Sequence, residues 1–228
     1  MVLSDIVTEV ELAVNDSTFT SDMLTGYIND TYREVVGRCL VPDLKRVDVV
    51  TTTNNAYVSL STLKSGFSGV LSRVYDSDGN SLRIFNKLEF LSDLNGNLTT
   101  SGELAAVALE GNTLWYADIP SIPEVLTVIY YALPDLLVND NDIPRYIPDF
   151  LHRQILVNGA AAIAWDYIEG GVEGLKVNAR SRLLSMESGV VKFREWLGKN
   201  RKHYISTEGD NSIGFNVLVH GVPFWRYL

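Results

Sequence analysis

An α+β fold is predicted: a helical bundle core of two N-terminal and two C-terminal helices, an inserted antiparallel β module, and an extended C-terminal arm. Apolar residues recur at helical spacing at both ends of the chain. Between residues 47 and 132 that spacing gives way to short β-branched and aromatic runs broken by turn dipeptides. Residues 204–228 follow neither pattern yet are rich in large apolar side chains. The implied organisation is a helical core of 1–46 and 133–203, a β module of 47–132, and an arm of 204–228.

The first helix is read from Ile6, Val7, Val10 and Val14, with Ser4 as its N-cap and Asp5 in its first turn. Asn15-Asp16-Ser17 supplies a polar break. Thr20 then caps a second helix, with Asp22 near its positive end. Leu24, Tyr27, Ile28, Tyr32, Val35, Val36 and Cys39 form its apolar stripe, and Pro42 forces an exit soon after. Cys39 sits on that stripe, so it reads as a buried small hydrophobe rather than a reactive thiol.

In the β module, Val47–Thr53 and Ala56–Leu60 flank Asn54-Asn55. Val70–Tyr75 and Ser81–Phe85 flank Asp78-Gly79, the strongest short hairpin signal in the chain. Leu104–Leu109 and Thr113–Ala117 flank Gly111-Asn112, a second two-residue turn, and Glu124–Tyr131 makes a long final strand. Turn spacing predicts roughly six to eight antiparallel strands.

A proline-punctuated connector follows, containing Pro134, Pro144 and Pro148. Helical spacing resumes with Ile147, Leu151, Ile155, Ala162 and Trp165 on one face, Pro148 being acceptable in a first turn. Gly159-Ala160-Ala161-Ala162 makes a smooth surface for a close helix neighbour, either within the chain or on an adjacent subunit. Gly170-Gly171 ends this helix. A last long helix carries Leu175, Ala179, Leu183, Met186, Val190, Phe193 and Leu197 as its apolar stripe. Lys176, Arg180, Arg182, Lys192 and Arg194 make it basic. Gly159, Ala161, Ala162, Arg180 and Arg194 are the candidate subunit-interface residues. Beyond it, Phe215, Val217, Val219, Phe224, Trp225, Tyr227 and Leu228 form an apolar arm. Such a segment needs a surface to cover it, either its own domain or another protein on which it docks by adding a strand or filling pockets.

The net charge of -9 is uneven: residues 1–150 hold 21 acidic against 9 basic side chains, and residues 151–228 hold 7 against 10. An acidic body repels nucleic acid, and a basic segment seeks an acidic partner. The longest apolar run, Ala160 to Trp165, is far short of the ~20 residues a membrane span needs, so a soluble protein without a membrane partner is expected. A single cysteine excludes an internal disulfide and a cysteine-based metal cluster.

Catalytic patterns are missing. His152, His203 and His220 are scattered and have no second ligand at metal-binding spacing, and His152 reads as solvent-facing or interfacial. Gly66-Phe67-Ser68-Gly69 reads as a loop before a strand rather than a nucleophile turn. Asp76-Ser77-Asp78-Gly79-Asn80 begins like a calcium loop but lacks its closing glutamate, and a hairpin turn explains it. Asp135, Asp140 and Asp142, around Asn139 and Asn141, offer oxygens for a surface cation. No cofactor, no metal and no enzymatic activity are expected.

One set of runs carries a resemblance. Tyr130-Tyr131-Ala132-Leu133-Pro134-Asp135-Leu136, then Asp142-Ile143-Pro144-Arg145-Tyr146-Ile147-Pro148, then a helix from Phe150 to Tyr167 resemble the head-to-tail adaptor proteins of tailed phages, the group that includes tail tubular protein A. The N-terminal part agrees: a short helix, a break, and a helix of the type Tyr27-Ile28-Asn29-x-x-Tyr32-Arg33-Glu34. The likeness covers residues 1–45 and 125–200 in order. It implies a structural virion protein, made in the host cytoplasm and placed in the neck between head and tail. It further implies a dodecameric ring of copies of this chain, joined to the portal protein and to a tail or nozzle protein. Double-stranded DNA would pass through its channel without sequence-specific binding, and the C-terminal arm would reach the portal. The competing reading is a tail-associated carbohydrate or receptor-binding module, with Tyr57, Trp115 and Tyr116 stacking on sugars.

Overall fold

A computed structural model describes residues 1–63, 66–85, 88–89, 101–170 and 176–205, the last six of these, 200–205, by backbone alone. The chain divides into two units, Met1–Arg194 and Glu195–Leu228. The first unit holds two sheets and the packing of the helices. The architecture is α+β.

Helix α1 (Leu3–Val14) buries Leu3, Ile6, Val10 and Val14. Its cap differs from the sequence expectation: Ser4 lies inside the helix and Val2 precedes it. The free N–H groups of the first turn are met from a distance, Leu3 donating to the Asp142 carbonyl at 2.9 Å and Ser4 to the Asp140 carbonyl at 3.1 Å. A loop over 130 residues later does the work of a local cap, which no local rule can see. Asn15 closes α1 in the left-handed region (φ 51°). Phe19, in the break, is buried edge-on against Tyr27 and Tyr167.

Helix α2 (Ser21–Cys39) is capped as expected, Met23 N–H donating to Thr20 Oγ1 at 3.3 Å. Its expected stripe is buried, with Tyr27 half-buried. One buried residue does not fit an apolar stripe: Asn29. Its amide donates to the Leu137 carbonyl at 2.9 Å and to the Thr25 carbonyl at 3.1 Å, and accepts from the Leu137 N–H at 2.8 Å. Asn29 thus pairs with a backbone as a neighbouring strand would, and fastens the 133–148 connector to α2. Replacing it by alanine strands the buried N–H and C=O of Leu137. The expected loss is about 2 kcal/mol, since each unpaired buried group costs roughly 1–3 kcal/mol. Urea denaturation checks this, and Asn29→Asp, which turns an acceptor toward the buried Leu137 carbonyl, should lose at least as much.

After a 3-10 turn (Pro42–Leu44), β1 (Lys45–Thr51) pairs antiparallel with β7 (Val125–Ala132), whose other edge carries β3 (Phe67–Tyr75). The second sheet has the order β2 (Tyr57–Ser59), β6 (Thr113–Ala117), β5 (Ala106–Glu110), β4 (Arg83–Phe85). Leu60, Val74, Val107, Leu114, Tyr116, Leu126, Val128 and Tyr130 form one core shared by the two sheets. The Gly111-Asn112 hairpin is present, Glu110 facing Thr113 across the two-residue turn with Gly111 at φ +58°.

Three details depart from expectation. Asn54-Asn55 is not a hairpin turn, because β1 and β2 belong to different sheets. The crossover is tied by the buried Tyr116 hydroxyl, which accepts from Thr53 N–H at 2.9 Å and donates to the Thr53 carbonyl at 3.1 Å. The Asp78-Gly79 turn does fold back, with Leu82 N–H reaching the Val74 carbonyl at 2.8 Å, but the returning chain then leaves β3. It becomes β4 and pairs with β5 in parallel, so the strands are not purely antiparallel. Gly66-Phe67-Ser68-Gly69, expected as a loop, runs into β3 at Phe67, and Gly69 (φ +84°) sits where the register with β7 shifts.

Helix α3 runs through Asp149–His152, a π-helical segment Arg153–Val157, and Asn158–Glu169. It packs on α1 and α2, and it is buried far more widely than one stripe. Helix α4 (Val177–Ile205) meets α3 within the first unit, Gln154 Nε2 donating to the Ser185 carbonyl at 3.3 Å and Lys192 to Gln154 Oε1 at 2.9 Å.

Candidate assembly surfaces

Gly159, Ala161 and Ala162 are not on the surface. Ala161 and Ala162 are buried, and a Cβ on Gly159 would collide with Thr31 Cγ2 of α2 and stand 2.9 Å from Met186 Sδ of α4. Of the two readings of this smooth face, a close neighbour inside the chain is the one the packing bears out. Gly189 repeats the device from the other side, its absent Cβ leaving room for Ile155 at 2.8 Å. These three candidates for a subunit interface are corrected to intrachain packing, because the chain itself already buries them, α2 and α4 filling the space at Gly159.

Arg180 and Arg194 do lie on the exposed side of α4. With them are Val177, Leu184 and Val191, seven residues apart and 55–63 % exposed. A seven-residue step returns a helix to nearly the same angle, so the three form one apolar seam. Helix α4 is therefore apolar on two sides, and the seam is the side that sequence reading passed over. Its signal was that seven-residue spacing, hidden by the stronger buried stripe Ala179, Met186, Val190 and Phe193. Arg38, across on α2, holds Glu187 of α4 through two bonds of 2.8 and 3.0 Å. Arg180 and Lys192 are both exposed residues, and the Lys192 ammonium reaches back to Gln154 of α3.

Exposed apolar residues also occur in the connector and at the start of α3. Leu136, Val138, Ile143 and Phe150 are 49–72 % exposed, among the exposed acids Asp135, Asp140 and Asp149. The Pro144 and Ile147 backbone carbonyls accept from His152, whose ring is fully buried with Nε2 at 2.7 Å from the Ile147 oxygen. His152 is thus neither solvent-facing nor interfacial but a structural pin. The docking-arm residues Phe215, Val217, Val219, Phe224, Trp225, Tyr227 and Leu228 lie outside the described residues.

The acidic loops are closed by their own side chains. The Asp142 carboxylate accepts from the N–H groups of Val138 (2.7 Å) and Asn139 (2.8 Å), and Asp76 accepts from Asp78 (3.0 Å) and Asn80 (2.7 Å). Among the described residues no group of three or more His, Cys, Asp or Glu is placed to hold a metal, and no helix is long and apolar enough to cross a membrane. Cys39 is buried, and burial raises its thiol above the ordinary range, although a hydrogen bond from Arg194 acts against the shift. Tyr116 is core, which removes one of the three aromatics proposed for sugar stacking; Tyr57 is exposed and Trp115 half-buried, and they tilt onto each other with ring centroids 4.9 Å apart.

Hydrogen bonds also set a pH dependence. The backbone N–H groups of Asn139 and Val138 hold the Asp142 carboxyl below its ordinary value, and the Thr18 N–H and hydroxyl do the same for Asp16. Desolvation pushes Glu169 upward, but donors at Ala179 and Asn178, the first turn of α4, outweigh it and leave it low. For a group lowered by folding, its stabilisation is complete above the unfolded value of ~4 and disappears as pH falls through the folded value. Thermal melting is therefore expected to be flat above about pH 5 and to fall below about pH 4. Asp142→Asn should flatten that acid limb, and an unchanged limb would show that the loop contributes nothing to it.

The family model described as SU10 adaptor protein matches residues 1–187, a span that includes, among the described residues, α1 to α3, the strands β1 to β7 and the first turns of α4. No curated protein matches the chain.

Proposed function

Since the chain belongs to the SU10 adaptor protein family, and is thereby a structural head-to-tail adaptor of a phage virion, we propose that it assembles as a closed ring, dodecameric in the complete neck, between portal and tail. The observation that carries this reading is the family match across 187 of 228 residues. Two exposed sets of apolar residues of opposite charge character support it, because a ring needs a different face on each side of every subunit. In this reading the four helices act as one bundle core (1–46 and 133–203), the β module 47–132 is an insertion on it, and residues 204–228 are an arm that docks on the portal. An adaptor role carries association with portal and tail proteins. The role is structural, and it assigns no catalytic residue and no cofactor.

The ring continues the channel through which DNA leaves the head. Every lysine or arginine gripping phosphate adds salt-dependent affinity that would slow passage. An excess of 21 acidic over 9 basic residues in the first 150 suits a lumen that does not grip. A strongly positive lumen in an assembled ring would contradict this part of the reading. The whole is tested by negative-stain imaging of the purified chain mixed with its portal protein. A closed ring seated under the portal is expected; a chain that stays monomeric and leaves the portal bare overturns it.

A further inference from the structure

Resting on the ring reading, we propose that successive copies meet with the outward seam of α4 on one copy against the 135–150 surface of the next. The seam is apolar at Val177, Leu184 and Val191 and is flanked by Arg180 and Lys192. The opposing surface is apolar at Leu136, Val138, Ile143 and Phe150, and residues 135–150 hold four aspartates against Arg145 alone. Charge complementarity of this kind selects the partner face and disfavours seam-on-seam pairing.

The placement of the two surfaces fits a ring. Helix α2 touches the α3–α4 side through Thr31, which abuts Gly159, and through Arg38, which holds Glu187. It holds the connector through Asn29, bonded to Leu137, and Arg33, which donates to the Pro134 carbonyl at 3.2 Å. At 3.6 residues per turn, Thr31 and Arg38 point roughly 140–180° away from Asn29 and Arg33. Helix α4 and the connector therefore flank α2 on opposite sides. The seam itself is turned roughly 150° from the buried stripe of Met186, Val190 and Phe193 and faces away from the helices. A molecule with complementary faces on opposite flanks forms head-to-tail contacts, which do not stop at a dimer and make a ring where the rotation from copy to copy closes.

The full chain carrying Arg180→Glu with Lys192→Glu has an acidic seam, and Asp135→Lys with Asp140→Lys makes the other surface basic. Arg194 is left in place because it hydrogen-bonds Cys39. Ring formation would be followed by sedimentation and native mass spectrometry. Each variant alone should raise the half-assembly concentration at least about tenfold, because each juxtaposes like charges. An equimolar mixture should recover assembly, since alternating copies then match at every contact. As a second route, copies bearing Leu184→Cys mixed with copies bearing Val138→Cys should cross-link copy to copy, Cys39 being buried. Variants that assemble like the wild type, a mixture that fails to recover, or mixed cysteine copies that do not cross-link would each overturn this contact and leave the ring reading standing. A wild-type chain that never closes into a ring, alone or on the portal, removes both.

Discussion

Gly159→Val is expected to lower stability by about 3 kcal/mol, the upper end for inserting carbon into a packed core. For a chain of this size that lowers the melting temperature by roughly 6–12 °C. The cause is local and geometric. Gly159 lies where α3 crosses α2 and α4, and a single Cβ there already overlaps Thr31 Cγ2. Thr31 is β-branched, helical and buried, so it cannot swing aside as the tip of a long side chain would. Met186, at 2.9 Å from the same Cβ position, can yield more easily. Gly159→Ala separates two opposing effects: alanine favours a helix by about 1 kcal/mol over glycine, yet its methyl meets the same wall. The clash should win. Combining Gly159→Ala with Thr31→Ala should then recover most of the loss, giving a coupling of about 1 kcal/mol or more in a double-mutant cycle. A Gly159→Val chain that melts with the wild type would show that this crossing is loose.

The same crossing marks what could and could not be read from the residues. The short side chains at 159–162 announced a close helix neighbour, because only glycine and alanine let backbones approach. Nothing in them named that neighbour, since Thr31 lies 128 positions away and Met186 27 positions away. The helices with local caps and stripes were legible, α2 most of all, and so was the Gly111-Asn112 hairpin, because its determinants are adjacent. The Asp78-Gly79 hairpin was legible only in its turn. Where β4 goes afterwards depends on a vacant edge of β5, which is a property of the other sheet. His152 and Asn29 were missed for a related reason: both are polar residues on helices, and their buried partners are backbone groups of the 134–147 connector. Backbone carbonyls and N–H groups leave no trace in a pattern of side chains. The seam of α4 was legible in principle, because its spacing is written in one helix, but a helix with two apolar faces looks from sequence like a helix with one broad face.

Deleting Gly221–Leu228 is expected to leave the chain folded and to weaken its association with portal particles at least about 100-fold, roughly 2.7 kcal/mol in binding free energy. The deleted residues include Phe224, Trp225, Tyr227 and Leu228. Each such side chain, fully covered, contributes about 1.5–3 kcal/mol, so even after the cost of ordering the segment several kcal/mol remain. The 1–187 family span stops short of this arm, so its removal leaves every residue of the matched region in place. The two measurements separate the possible roles. If the arm folds back on its own helices, the truncated chain should melt earlier; if it docks on the portal, melting should be unchanged while co-sedimentation with portal particles is lost. Ring closure gives a third readout, because the copy-to-copy contact proposed for the α4 seam uses residues up to 192 and none beyond. A truncated chain that forms rings yet does not join the portal is the expected result, and one that joins the portal as the intact chain does would end the docking role of the arm.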